Sequence, residues 1–147
     1  MKSLRLSEHF VLAEFERSAT ATANGIDNRV PSQYVPALEQ LCKTILEPLR
    51  AFAGQPIIIS SGYRSPALNK AVGGVANSQH MTGQAADIHI PDTATGSAWF
   101  EWMEDNLAYD QLIKEESTKT SKSFWIHVSF RKDGKNRQQV KFLIKYK

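Results

Sequence analysis

The spacing of apolar residues predicts helices in the first third of the chain. Apolar residues recur every three or four positions across residues 35–49, which is the period of a helix with one buried face. Pro31 precedes this run and is expected to open a long helix, and Pro48 either kinks the helix or marks its end. A shorter run at residues 10–15 predicts a second helix, with Ser7 as its N-cap or as a turn residue. The apolar positions of the long helix are Val35, Leu38, Leu41, Cys42, Ile45, Leu46 and Leu49.

Runs rich in β-branched and aromatic residues predict strands in the remaining two thirds. These runs cover residues 57–61, 85–90, 109–115, 124–130 and 139–144. Most of them end at Gly, Pro or charged residues, which favour turns. We therefore expect a sheet built from short strands.

Helical patterns also lie between the strands. Residues 67–72 follow Pro66, which suits the first turn of a helix. Residues 97–107 form an amphipathic pattern with Thr95 as a possible cap. Residues 18–28, rich in Ala, Thr, Asn and Gly, predict a loop.

The order of these elements predicts one α+β domain spanning residues 1–147. N-terminal helices are expected to pack on a small, mainly antiparallel sheet that carries the functional site. The core is expected at about residues 6–130. Residues 131–147 should form a turn, an edge strand and a basic tail, and a polar loop is expected at residues 116–123.

Composition excludes several classes of protein. Apolar residues make up 41% of the chain and charged residues 22%, as in ordinary globular domains. Cys42 is the only cysteine, which rules out an intrachain disulfide or a cysteine-rich zinc site and predicts a buried thiol. No run approaches the ~20 apolar residues of a membrane span. The net charge of +3 favours weak attraction to anionic polymers without choosing among them.

The segment SQHMTGQAAD at residues 78–87 contains two kinds of metal ligand, the imidazole of His80 and the carboxylate of Asp87. On a continuous helix they would lie about 10 Å apart along the axis, too far for one ion. We therefore expect a bend at Gly83, which tolerates positive φ, followed by a strand. A third ligand is needed, and the best candidate is His127, which points away from its apolar neighbours on a strand.

The motif S-x-H-x-x-G-x-A-x-D at residues 78–87, followed by W-x-H at residues 125–127, resembles the zinc D-Ala-D-Ala peptidases. These form the LAS group of peptidase family M15, whose metal site is shared with hedgehog-type domains. The run SSGYRSPALN at residues 60–69 and the opening segment from Leu6 also resemble this family. The resemblance extends from about residue 6 to residue 130.

This resemblance implies one zinc ion held by His80, Asp87 and His127, with a fourth position left for water. It also implies an acidic residue that acts as a base near the second histidine. Some family members carry that residue where this chain has Phe124. Resemblance to members with I-x-E before W-x-H favours Glu115 as the base. Glu116 is the rival, because alternation along the strand does not show which face meets the metal.

Arg64 is implied to face the active site, where its guanidinium would bind a substrate carboxylate or polarise the scissile carbonyl. Ser78 and Gln79 are expected to bind substrate or to hold a metal ligand in place, and Ser78 could equally be a loop cap. Tyr63 and Trp125 are expected to pack or to form the wall of a groove. The family pattern uses neither His89, for which we expect a strand-end or supporting role, nor His9, which we expect to be structural.

The function implied is a zinc-dependent peptidase that cuts peptidoglycan stem peptides, as a D-Ala-D-Ala carboxypeptidase or an endopeptidase. The alternatives are an endolysin-type L-Ala-D-Glu endopeptidase and a catalytically weak, metal-bearing wall-binding module. Nucleic-acid binding is not expected, because the basic residues of 132–147 fit a solvated strand and tail. A monomer is expected. The start of the sequence has no apolar signal region, so we expect synthesis in the cytoplasm and release or export, possible with a phage lysis system.

Overall fold

The computed structural model describes residues 3–117 and 124–145, and it confirms an α+β fold with a five-stranded sheet. In these residues the helices are α1 (Leu12–Glu16), α2 (Ala19–Ala23), α3 (Val35–Leu41), α4 (Glu47–Ala53), α5 (Pro66–Ala71) and α6 (Thr93–Asn106). Short 3-10 turns cover Ser32–Tyr34 and Gln79–Thr82. The strands are β1 (Ile59–Ser61), β2 (Ala85–Ile88), β3 (Gln111–Ser117), β4 (Phe124–Ser129) and β5 (Gln139–Lys145). The polar loop predicted at residues 116–123 lies largely outside the described residues.

The strand order across the sheet is β1-β2-β4-β3-β5. The pairs β1–β2, β2–β4 and β4–β3 are antiparallel, as the mainly antiparallel prediction requires. β5 is an edge strand, as predicted, but it runs parallel to β3. The sequence did not predict that pairing. Consecutive strands usually pair with each other, whereas here the chain leaves β4, crosses the end of β3 and pairs on the side of β3 away from β4.

The predicted long helix contains a π-helical segment, Cys42–Leu46, between α3 and α4. Pro48 lies in the first turn of α4. A proline has no N–H and clashes with the carbonyl four residues earlier in a regular helix, so widening the helix just before Pro48 removes the conflict. Cys42 is fully buried in this segment, as predicted.

The first helix begins later than predicted, and Ser7 does not cap it. α1 starts at Leu12, and the backbone N–H of Val11 donates to the carboxylate of Glu14. The hydroxyl of Ser7 instead donates to Oε2 of Glu47 at 2.6 Å. The local pattern around Ser7 could not predict this bond, because Glu47 lies 40 residues further along the chain.

Three further local predictions need correction. Residues 18–28 were expected to form a loop but include α2, where the side chain of Ser18 accepts from the N–H of Ala21. The cap of α6 is Asp92 rather than Thr95, because the Asp92 carboxylate accepts from both the N–H and the hydroxyl of Thr95. The strand predicted at residues 57–61 covers only Ile59–Ser61, at the edge of the sheet, and Ile58 just before it is 55% exposed.

The hydrophobic core lies between the helices and one face of the sheet. Alternation along the strands puts Ala86, Ile126, Val128 and Leu112 into this core. The residues between them therefore point to the opposite face, where the candidate site lies. No helix in the described part of the chain is long and apolar enough to cross a membrane.

Candidate active site

Three potential metal ligands meet on the face of the sheet away from the core. One ligand atom from each of His80, Asp87 and His127 lies within 4.8 Å of the other two. Asp87 of β2 and His127 of β4 are directly paired across the two strands. His80 comes from the 3-10 turn that precedes β2. The sequence-predicted triad is thus brought together by two strands and one turn.

Gly83 provides the bend that lets His80 approach Asp87. It ends the 3-10 turn with φ of 72°, in the left-handed region that favours glycine. A Cβ at Gly83 would lie 2.9 Å from the carbonyl oxygen of Tyr34, so the position is also crowded. The bend expected from the sequence is therefore present.

The ring of His80 is held in one orientation by the backbone. Its Nδ1 lies 2.7 Å from the carbonyl oxygen of Gly62. Because a carbonyl oxygen can only accept, Nδ1 carries a proton, and Nε2 has a free lone pair when the ring is neutral. This Nε2 is buried, lies 3.3 Å from Oδ1 of Asp87, and forms no hydrogen bond with any described residue. A buried lone pair without a donor is what a metal ion would satisfy.

The carboxylate of Asp87 is ionised despite its burial. Burial alone would raise the pKa of Asp87, but the positive charge of the adjacent His80 in its protonated form and the hydrogen bond with His127 hold that pKa well below its usual range. Nδ1 of His127 lies 2.9 Å from Oδ1 of Asp87, so this nitrogen faces the cluster. Two imidazole nitrogens and one carboxylate oxygen form a donor set that fits zinc.

A glutamate lies beside the cluster, and it is Glu115. Its side chain is buried, and Oε2 lies 4.0 Å from Nδ1 of His127. The indole N–H of Trp125 donates to the same oxygen at 3.0 Å. Glu116 lies on the other face of β3, opposite Phe124, and its side chain is 47% exposed. Trp125, expected only to pack or to line a groove, therefore also orients a carboxylate.

Arg64 lies on the other side of Asp87. Its Nη2 donates to Oδ2 of Asp87 at 3.4 Å. Its Nε donates to the hydroxyl of Ser61 and its Nη1 to the side-chain oxygen of Asn69, both at 3.2 Å. A Cβ at Gly74 would overlap the side chains of both Asn69 and Arg64, so any other residue there would displace them. The guanidinium is therefore fixed at the wall of the cleft.

Ser78 and Gln79 have different contacts. The hydroxyl of Ser78 accepts from the N–H of His80 at 3.2 Å, which is the cap arrangement considered from the sequence. The amide of Gln79 donates to Oδ2 of Asp110 at 2.9 Å. Asp110 also accepts two hydrogen bonds from the guanidinium of Arg137. No local pattern pointed to Asp110, because an aspartate at the start of a strand resembles a turn residue.

The remaining candidates lie outside the cluster. His89 is exposed beyond the end of β2. His9 bonds through Nδ1 to Glu47 at 2.7 Å, near the start of the chain. Tyr63 is buried, with its ring centroid 6.1 Å from that of Tyr34. No other group of three or more histidine, cysteine, aspartate or glutamate side chains within the described ranges is placed to bind a metal ion.

A cleft of about 650 Å³ opens over the cluster. It is lined by sheet residues that include His127 and Glu115, and by Arg64 and His80. Residues after β4 also line it, including Arg131 and residues of the β5 strand. The lining residues are Arg64, Gly73, Gly74, Val75, Asn77, Ser78, Gln79, His80, Asp110, Gln111, Ile113, Glu115, His127, Arg131, Arg137, Lys141 and Leu143.

The α+β fold and the His-Asp-His cluster define a protein with a candidate metal-binding site. A family model described as Peptidase M15 matches residues 8–129. This chain belongs to the peptidase M15 family, which confirms the resemblance seen in the sequence. It is also 47% identical over 38 residues to a zinc D-Ala-D-Ala carboxypeptidase of Streptomyces albus G. That match covers 26% of this chain and only 15% of the length of the relative.

Proposed function

We propose that this protein is a zinc-dependent peptidase that hydrolyses stem peptides of bacterial peptidoglycan, as a D-Ala-D-Ala carboxypeptidase or an endopeptidase. The observation that carries the proposal is the buried, unsatisfied Nε2 of His80 beside Asp87 and His127, with Glu115 next to them. Membership of the M15 family supports the peptidase class. The zinc carboxypeptidase relative supports the metal and the substrate.

One zinc ion would be held by Nε2 of His80, a carboxylate oxygen of Asp87 and a ring nitrogen of His127. Nδ1 of His127 faces the cluster and would have to give up its proton to bind metal. When bound, zinc supplies Lewis-acid chemistry: it lowers the pKa of a water molecule towards ~7 and polarises a carbonyl. The carbonyl of Gly62 keeps the His80 ring in the required tautomer.

Glu115 is placed to act as the general base. It would take a proton from the attacking water and pass that proton to the leaving amine. Trp125 donates to Oε2, so the carboxylate is held facing His127 rather than free to rotate. A fixed carboxylate loses less conformational entropy when the reaction begins.

Arg64 is placed to bind the peptide. Its guanidinium can form paired hydrogen bonds with a substrate carboxylate or with the oxygen of the scissile carbonyl. Ser61 and Asn69 hold the side chain in place, so its direction is set before substrate arrives. Ser78 supports His80 through the backbone, and Gln79 is tied to Asp110 at the edge of the cleft.

The decisive experiment is mass spectrometry of defined muropeptides incubated with the zinc-loaded protein, with a chelator control. Loss of a terminal D-Ala would identify a carboxypeptidase. An internal cut would identify an endopeptidase and name the bond, including the L-Ala-D-Glu bond. A zinc-loaded protein that binds these peptides but cuts none would instead favour the wall-binding module.

Glu115→Gln tests the proposed base. We expect it to bind zinc normally and to lose about 10²–10⁴-fold in kcat, which is the usual contribution of a general base. Glu116→Gln is the matched control, since it changes the adjacent carboxylate on the opposite face of β3. Zinc content by elemental analysis and turnover should be measured together. Normal turnover in Glu115→Gln would remove this residue from the mechanism.

The protein is also proposed to act as a monomer.

A further inference from the structure

We propose that Lys141 of β5 forms a cationic subsite that binds a carboxylate group of an acidic peptide substrate. The subsite would lie in the same cleft as the candidate metal cluster, two strands away from His127. This inference rests on the proposed peptidase function and specifies the kind of substrate that the site prefers.

Strand register places Lys141 in one row with the metal cluster. Asp87 pairs with His127, His127 pairs with Ile113, and Ile113 pairs with Lys141. Residues paired in this way point to the same face of a sheet. With neighbouring strands about 4.8 Å apart, Lys141 lies about 10 Å from His127 across the sheet.

Lys141 differs from the other cations of the cleft because its charge is not matched. It is partly buried, and it has no hydrogen bond or ion pair with any residue in ranges 3–117 and 124–145. Each arginine that lines the cleft already contacts a carboxylate. These pairs are Arg64 with Asp87, Arg131 with Asp133, and Arg137 with Asp110.

The surroundings of Lys141 suit a short acidic peptide. Ile113 lies beside Lys141 on β3, and Leu143 follows it on the same face of β5; both line the cleft. They offer apolar contact to the carbon chain of a ligand whose carboxylate reaches the ammonium group. Three extended residues span about 10 Å. The preferred carboxylate would therefore lie about three residues from the bond that is cut.

Lys141 also lies outside the part of the chain that matches the family model. That match ends at residue 129, and β5 begins at Gln139. The residues proposed to hold metal and to move protons lie before that end. A contact supplied by β5 is therefore suited to selecting among substrates rather than to carrying out the reaction.

The test measures binding in a Glu115→Gln background, so that turnover does not interfere. The probes are the stem peptide L-Ala-γ-D-Glu-L-Lys-D-Ala-D-Ala and the same peptide with the D-Glu α-carboxylate converted to an amide. Calorimetry on the zinc-loaded protein should show roughly fivefold tighter binding of the acid, the upper range for a partly exposed ion pair. Adding Lys141→Gln should abolish this preference, and salt should weaken it in the parent.

Lys114→Gln is the matched control. It removes the same charge from the neighbouring strand, but Lys114 lies on the opposite face, with its ammonium 4.5 Å from the ring centre of Phe124. This variant should keep the preference for the acid. Lys141→Glu should reverse the preference, and thermal unfolding should show that each variant is folded.

Three results would overturn the subsite: no acid preference in the parent, an undiminished preference in Lys141→Gln, or an equal loss in Lys114→Gln. Cleavage assays on the unmodified protein separate this inference from the proposed function. Absence of cleavage together with a preference that depends on Lys141 would reject the peptidase and retain the subsite. Cleavage together with a binding preference that does not depend on Lys141 would retain the peptidase and reject the subsite.

Discussion

Asp110 is a fully buried carboxylate that connects the loop before β5 to the start of β3 through hydrogen bonds with Arg137. It accepts hydrogen bonds from the backbone and from the guanidinium of Arg137, and another from Gln79. Gln79 immediately precedes His80, and Arg137 precedes the strand that carries Lys141. A single side chain thus holds two residues that line the cleft, Gln79 and Arg137.

The acid stability of the protein should depend on Asp110. Burial would raise the pKa of Asp110, but the hydrogen bonds from Arg137 lower it to about 2. Its folded pKa is therefore below its unfolded pKa, so its contribution is complete above about pH 4 and is lost as pH falls towards 2. Asp110→Asn should lower the free energy of unfolding by about 1–2 kcal/mol at pH 7, with a smaller difference in acid. Denaturant unfolding at several pH values measures this.

Asp27 provides the control for that prediction. Its pKa is also lowered to about 2 through hydrogen bonds from Arg29. Both side chains of this pair are largely exposed, at 65% and 85%. Solvent screens exposed pairs, so Asp27→Asn should change stability much less than Asp110→Asn. Equal effects would show that burial of Asp110 does not strengthen its interactions.

At the scale of the element, the turn at Gly83 sets the distance between His80 and β2. Gly83→Ala adds strain from positive φ and places a Cβ 2.9 Å from the carbonyl oxygen of Tyr34. We expect a loss of about 2–3 kcal/mol in the free energy of unfolding. Zinc affinity should fall as well, because the 3-10 turn must move. Chemical unfolding and zinc titration measure the two effects.

Gly25→Ala separates strain from crowding. Gly25 also has positive φ, at 64°, but an added Cβ would meet nothing within 4 Å. This variant should lose only the strain contribution, about 1 kcal/mol, and should bind zinc normally. If both variants lose the same stability and keep the same zinc affinity, the contact between the added Cβ at Gly83 and the carbonyl oxygen of Tyr34 contributes to neither effect.

At the scale of the whole molecule, a bound metal ion would join the 3-10 turn to β2 and β4. Zinc that binds only the folded state would raise the melting temperature. At a free concentration 100 times the dissociation constant the gain is about 2.7 kcal/mol. That gain corresponds to roughly 5–10 °C for a domain of this size. Calorimetry with zinc and with a chelator measures the shift.

His127→Ala should remove that shift, because it deletes one donor of the three. His89→Ala is the control, since His89 is exposed and lies outside the cluster. A shift that persists in His127→Ala would mean that zinc stabilises the protein from another position.

The sequence by itself determined the class of fold, most of the elements and the types of chemical group at the site. Periodicity predicted the long helix and the strands, because alternation and helical spacing are properties of neighbouring residues. The bend at Gly83 followed instead from the need for His80 and Asp87 to converge on one ion. The sequence was less accurate at Thr95, because the carboxylate of Asp92 caps that helix instead. Of the two alternatives for Ser7, a cap or a turn residue, the structure fits the second, since Ser7 lies in a bend before α1. Periodicity also missed α2, whose pattern is dominated by small residues.

Only the tertiary structure decided which side chains meet. Alternation left Glu115 and Glu116 equivalent until the pairing of β3 with β4 put Glu115 beside His127 and Trp125. The parallel pairing of β5 with β3 brought Lys141 into the row that contains Ile113 and His127. Such contacts depend on strand order and register, which join residues far apart in the chain. No local pattern in the sequence determines strand order or register, so the residues that line the cleft could be identified only from the assembled sheet.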